Sequence, residues 1–167
     1  MNAIKKKIRN YLLITRLDKP TGWILLFIPC FYGTVAGSIY TTQKINIEII
    51  ALFLVGAILM RSSGCILNDI IDRNIDAKVE RTKNRPLANQ SMKINEAIIL
   101  LSLLLFFSFL ILISFNLLTI YLGISSMALV IIYPFMKRIT YWPQLFLGIT
   151  FNWGVILGWT AVSNSVE

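Results

Sequence analysis

Histidine is absent from this chain. Haem ligation through imidazole, His-bearing zinc sites and imidazole general-base schemes are therefore excluded. Cysteine is nearly absent as well. Cys30 and Cys65 lie far apart, each inside a long apolar run, so they read as two buried free thiols, and no CxxC spacing points to a metal. Charge is scarce at 14% of residues, and acids are the scarcer sign, with 8 Asp and Glu against 16 Lys and Arg. So few charges cannot coat a soluble domain of this size. What fills the chain instead is apolar sequence: 56% of residues are hydrophobic and the mean hydropathy is +0.71.

A membrane-spanning helix needs roughly 20 apolar residues. Five such runs are expected, at about 22–40, 47–67, 96–115, 117–136 and 143–162, leaving no sequence for a separate soluble domain. The expected fold is therefore all-α and membrane-embedded, a single domain over residues 1–167. The net charge of +8 would suit nucleic acid, but its placement argues for topology and no nucleic-acid partner is expected. Lys5, Lys6, Lys7, Arg9, Arg16 and Lys19 precede the first run. Arg73, Lys78, Arg81, Lys83, Arg85 and Lys93 follow the second, and Lys137 and Arg138 follow the fourth. The intervening connections hold only Lys44. With five spans, every basic block falls on one side, which the positive-inside rule makes cytoplasmic: N-terminus in, C-terminus out. The expected location is an inner, cytoplasmic membrane crossed several times. The basic N-terminal region runs on to Lys19 and leads into a span-length segment, so no cleavable signal is expected.

The densest chemistry is Asn68-Asp69-Ile70-Ile71-Asp72-Arg73-Asn74-Ile75-Asp76, directly after the second run. On a helix, Asn68, Asp72 and Asp76 share one face at i, i+4 and i+8, with Asp69 beside them. Stacked acids repel, and a divalent cation would offset that repulsion. Hard oxygen ligands suit Mg²⁺, which takes one or two carboxylates, several waters and substrate phosphates. Arg81, Lys83 and Arg85 follow within ten residues of Asp76. Acids for a metal beside cations for phosphate oxygens describe a site for a metal-chelated diphosphate; the alternative is a charged loop with internal ion pairs.

Arg61 stands inside the second run and shares a face with Gly64, Cys65 and Asn68, so it points at the same cavity as the acids. An intramembrane arginine is costly and marks a ligand or a partner acid. Gly33 with Gly37, and Gly154 with Gly158, are GxxxG pairs that let helices approach closely. A turn is expected near Asn116, a loop between Pro86 and Asn95 folding partly over the site, and a helix start at Asn95-Glu96. Lys137 and Arg138 read either as interfacial anchors or as phosphate ligands. Gln144, Asn152 and Trp153 either line a cavity or bond neighbouring helices.

Asn68-Asp69-x-x-Asp72-x-x-x-Asp76 followed by Arg81-Thr82-x-x-Arg85-Pro86 resembles the first aspartate-rich motif of the UbiA-type intramembrane prenyltransferases. Asp18-Lys19-Pro20-x-Gly22, Met60-Arg61-x-x-Gly64-Cys65, Tyr133-Pro134-Phe135-Met136-Lys137-Arg138 and Pro143-Gln144 are similar to the branch of that family acting on 4-hydroxybenzoate in ubiquinone synthesis. The resemblance covers nearly the whole chain. It implies a nine-helix bundle, with a second aspartate-rich motif after the sixth helix, of which this chain holds about five helices. It is thus expected to be the N-terminal part, with a separately encoded C-terminal half as one partner to consider. The implied reaction is Mg²⁺-dependent transfer of a polyprenyl group from polyprenyl diphosphate to the ring of 4-hydroxybenzoate. The implied roles are catalysis by Asp69, Asp72 and Asp76, and Mg²⁺ ligation by Asn68, Asp72 and Asp76, with Asp69 flanking them. Arg81, Lys83, Arg85, Lys137 and Arg138 are expected on diphosphate, Arg61 on diphosphate or on the benzoate carboxylate, and Lys19 and Arg16 near the same mouth. The alternatives are another aromatic acceptor, a non-catalytic remnant, half of a split enzyme, or a small cation carrier. The last is disfavoured because the acids lie at the membrane edge rather than at its midplane.

Overall fold

The computed structural model describes residues 3–166, except the side chains of Ala3, Ile4, Lys6, Pro134, Phe135, Lys137 and Arg138. The described residues form six helices: α1 (Ala3–Thr15), α2 (Thr21–Tyr40), α3 (Ile47–Asp76), α4 (Ile94–Leu112), α5 (Leu117–Ile139) and α6 (Pro143–Ser163). Helices α2, α3, α4 and α6 are each long and apolar enough to cross a membrane, and α5 adds a shorter apolar stretch over Leu117–Tyr133. These five coincide with the five expected runs.

Local chemistry sets most of the helix starts. The Asn46 side chain accepts from the Glu48 amide at 2.8 Å to open α3, and Asn116 accepts from the Thr119 amide at 2.9 Å to open α5. Pro143 opens α6, where its missing N–H costs nothing. The start of α4 differs from the expected Asn95 cap: the helix begins at Ile94 with Lys93 as cap, and the Glu96 carboxylate reaches back to the Lys93 amide. Helix α1 lies outside the five expected runs, because its amphipathic pattern is too short and too polar to register as a span.

Two features position the site. Helix α3 is 30 residues long, about 45 Å at 1.5 Å per residue, against a hydrocarbon core of about 30 Å. Its last turns therefore carry Asn68 to Asp76 beyond the apolar run while staying in line with it. Beside those turns sits a buried cluster of Ile14 from α1, Ile66 from α3, Leu87 and Met92 from the connection after α3, and Ala97 from α4. This cluster pins α1 and the 77–93 connection against α3. The second feature is the seam between α2 and α6. Gly33 and Gly37 of α2 face the stretch of α6 that holds Gly154 and Gly158. A Cβ on Gly33 would overlap the Val155 carbonyl, and one on Gly158 would overlap the Cys30 carbonyl. The two GxxxG pairs thus serve one contact, backbone against backbone.

Candidate active site

Helices α2 to α6 enclose a cavity of about 570 Å³ lined mainly by apolar side chains, among them Leu26, Phe53, Leu105, Phe109, Met127, Phe151 and Trp153. Its polar end is built from Arg16, Arg61, Asn68, Asp69 and Arg85. The helical face read from the sequence is therefore real: Arg61, Gly64, Cys65 and Asn68 all line this one space.

The acids sit in a network with two arginines. Asp69 is 2% exposed. Arg16 Nη2 donates to its Oδ1 at 3.1 Å and to its Oδ2 at 3.0 Å. Arg85 Nη1 donates to Asp69 Oδ1 at 3.1 Å and to Asp76 Oδ2 at 2.7 Å. Two cations facing two buried carboxylates offset the repulsion that the stacked acids would otherwise suffer. Asp72 is buried on the same helix, between Asp69 and Asp76. Thr82 closes the turn after α3, its hydroxyl donating to the Asp76 carbonyl at 3.0 Å. The connection folds back from there so that Arg85 meets the acids, while Pro86 and Leu87 are buried behind it.

The basic residues divide. Arg85 and Arg16 reach the acids. Arg81 is exposed, and Lys83 Nζ pairs with Glu80 on the surface at 2.6 Å. Lys19 is exposed at the turn before α2. Lys137 and Arg138 fall at the last turn of α5, and their side chains lie outside the described residues. Arg61 lies within the cavity with its guanidinium 5.8 Å from the centre of the Phe151 ring. Its Nε is buried with no hydrogen-bond partner among the described residues, and none of their carboxylates is within ion-pair distance of it. Gly22, from the Lys19-Pro20-Thr21-Gly22 turn, makes room for it, since a Cβ there would lie 2.6 Å from Arg61 Nε. Trp153 lines the cavity and donates to the Leu122 carbonyl, Asn152 is exposed and bonds back to Gly148, and Gln144 is exposed. Gly22 is visible in the sequence as part of Asp18-Lys19-Pro20-x-Gly22, but its contact with Arg61, 39 residues away, has no local signal. Arg16 is expected from sequence only near the mouth; the apolar spacing of Tyr11 and Ile14 is the local signal that it ends a packed helix.

Among the described residues, no three carboxylates or thiols converge as a ready metal cage. Asp69 and Asp76 commit oxygens to arginines. The donor chemistry nevertheless fits a cation such as Mg²⁺, which takes one or two protein carboxylates and completes its sphere with phosphate oxygens and water.

Residues 26–167 match the UbiA prenyltransferase family. The chain is 47% identical over 159 residues to a mitochondrial 4-hydroxybenzoate polyprenyltransferase of Drosophila pseudoobscura pseudoobscura, covering 95% of this chain and 40% of that protein. It is 47% identical to the protein of that name from Schizosaccharomyces pombe, over 97% of this chain and 46% of the relative. It is 48% identical to the one from Caenorhabditis elegans, over 96% and 45%. The chain thus spans less than half the length of these curated relatives. No solved structure gives a significant match. With the family's match running from α2 to the end of the chain, and an aspartate-rich helix end facing an apolar cavity, the chain belongs to the UbiA prenyltransferase family.

Proposed function

We propose that this chain provides the diphosphate-binding part of an enzyme that transfers a polyprenyl group from polyprenyl diphosphate to the ring of 4-hydroxybenzoate, on the route to ubiquinone. The observation that carries the reading is the mouth of the cavity: Arg16 and Arg85 held by Asp69 and Asp76 at one end of an apolar space open to a prenyl chain. The relatives' name supplies the acceptor.

In this reading the guanidinium groups of Arg85 and Arg16 take diphosphate oxygens, with Lys137 and Arg138 as further cations from α5. Asn68, Asp72 and Asp76 would hold Mg²⁺, and the ion would supply positive charge where the leaving diphosphate gathers negative charge. The cations stabilise the departing group, so the allylic C–O bond breaks. The apolar walls exclude water that would capture the allylic cation. The ring carbon ortho to the hydroxyl attacks the allylic carbon, and the ring proton leaves to the diphosphate or to water. Arg61, positively charged and without a carboxylate partner among the described residues, is assigned to the carboxylate of the aromatic acceptor. The basic-rich side of the bundle, which includes the site, is assigned in this reading to the cytoplasmic face of an inner membrane, which its positive charge supports; the relatives are named as mitochondrial.

The test is acceptor binding to the chain in lipid nanodiscs. 4-Hydroxybenzoate should quench tryptophan fluorescence, and Arg61→Leu should weaken that binding by about tenfold or more, as expected for loss of a charged hydrogen-bonding partner. Equal binding of 4-hydroxybenzoate and its uncharged methyl ester would remove the carboxylate role of Arg61.

A further inference from the structure

We infer that Asp69 is a positioning residue, a buried carboxylate that ties the guanidinium groups of Arg16 and Arg85 into one diphosphate clamp and is not itself a metal ligand. The inference rests on the diphosphate reading above and assigns a role within it.

The two arginines come from opposite sides of Asp69, 53 residues before it and 16 residues after it. Each is fixed from behind by a buried apolar residue two positions away. Ile14 precedes Arg16, Leu87 follows Arg85, and both belong to the same core cluster. The backbone is also set for the purpose. Arg16 has φ 58, in the left-handed region that non-glycine residues seldom occupy. That conformation ends α1 and coincides with a guanidinium turned onto Asp69, whose Nη1 also donates to the Leu13 carbonyl at 2.9 Å.

Two guanidinium groups brought to one cavity mouth repel each other. A carboxylate between them removes that repulsion and sets their separation. Asp69 does so with both oxygens: Oδ1 accepts from both arginines and Oδ2 from Arg16. Oxygens engaged in this way, on a side chain almost wholly enclosed, are poorly placed to ligate a cation. Arg85 meanwhile spends only Nη1 on the acids. Its Nε and Nη2 make no bond to the described residues and remain for phosphate oxygens. Asp69 thus acts through the arginines.

The experiment titrates farnesyl diphosphate, with Mg²⁺, into the chain in zwitterionic nanodiscs and follows tryptophan fluorescence, since Trp153 lines the cavity. Asp69→Asn should weaken binding by about ten- to hundredfold, and Arg16→Gln by a similar factor. The double variant should bind no more weakly than the worse single variant, because each change breaks the same clamp. A residue that served only the fold, or only the metal, would give losses that multiply. Multiplying losses, or unchanged binding by Asp69→Asn where Arg85→Gln loses it, would overturn the inference and leave the diphosphate reading standing. A wild-type chain that does not bind farnesyl diphosphate would overturn both. Should Asp69→Asn fail to fold, Asp69→Glu carries the same cycle, because it keeps the charge but displaces it by one methylene: coupled losses with Arg16→Gln support the clamp, and independent losses reject it.

Discussion

Arg61 and Asp72 are the residues whose surroundings say most about what each would do to a substrate. Arg61 occupies its place only because Gly22 has no side chain, a Cβ there falling 2.6 Å from Nε. Gly22→Ala should therefore push the guanidinium aside without removing its charge. The expected result is 4-hydroxybenzoate binding weakened by about three- to tenfold, less than for Arg61→Leu, since the flexible side chain can partly recover; equal losses for the two variants would mean that Gly22 matters for the turn and not for the arginine. Asp72 invites a comparison along its own helix. It is buried on the face of Asn68 and Asp76, whereas Ile71 is rotated by about 100° from it. In the chain complemented by the remaining helices of the family, Asp72→Ala should lower prenyl transfer by about 10²–10³-fold or more, and Ile71→Ala should change it little. Near-normal turnover by the Asp72 variant at saturating Mg²⁺ would end its assignment as a metal ligand.

Among the helix contacts, the α2–α6 seam is where a single substitution should matter most. Gly158→Leu forces a branched side chain against the Cys30 carbonyl and the Thr34 amide, both backbone groups that cannot step away. Overpacking costs typically about 1–3 kcal/mol, and more where backbone is struck, so the thermal unfolding midpoint in detergent should fall clearly. Gly148→Ala in the same helix meets nothing within 4 Å and should leave the midpoint unchanged. If both variants melt like the wild type, the seam is not what holds α2 to α6. This seam also shows what a single sequence can and cannot reveal. Each GxxxG pair was visible as a site of close packing, as was the i, i+4, i+8 face of Asn68, Asp72 and Asp76, because both follow from helical periodicity. That one glycine pair would meet the other, across more than a hundred residues, is a tertiary fact with no local signal. The same holds for the basic cluster after Asp76. Arg81, Lys83 and Arg85 look equivalent in sequence, yet the turn closed by Thr82 and the burial of Pro86 and Leu87 return only Arg85 to the acids. Lys83 turns instead to Glu80. Helix α1 was missed because it is held by packing against the core cluster through Ile14 rather than by a span-length apolar run.

The described helices form an apolar bundle in which α2 and α6 run parallel, Gly33 meeting Val155 and Gly37 meeting Trp159, and two expectations follow for the whole molecule. Cysteines introduced at Lys5 and Ser165 should be labelled from opposite sides of the membrane, with little background because Cys30 and Cys65 are buried; labelling from the same side would dissolve the common basic face. The second concerns catalysis by residues 1–167 on their own. In the proposed function the acids present one wall of a diphosphate site; Asp69 and Asp76 are already engaged by arginines, and no ready cage of three acidic ligands is found among the described residues. Ionising an allylic diphosphate needs charge stabilised on several oxygens at once, and each missing preorganised donor typically costs about 10²–10³ in rate. The relatives are more than twice as long as the aligned part, and the nine-helix bundle that the family resemblance implies would set further helices beside this portion. A polar mouth left open on that side would admit water, which weakens every electrostatic contact and competes for the cation. Residues 1–167 expressed alone, in membranes lacking the native enzyme, should therefore give little prenylated 4-hydroxybenzoate, and co-expression with the C-terminal half of a relative should restore it. Product formed as readily by the chain alone would show that these six helices suffice.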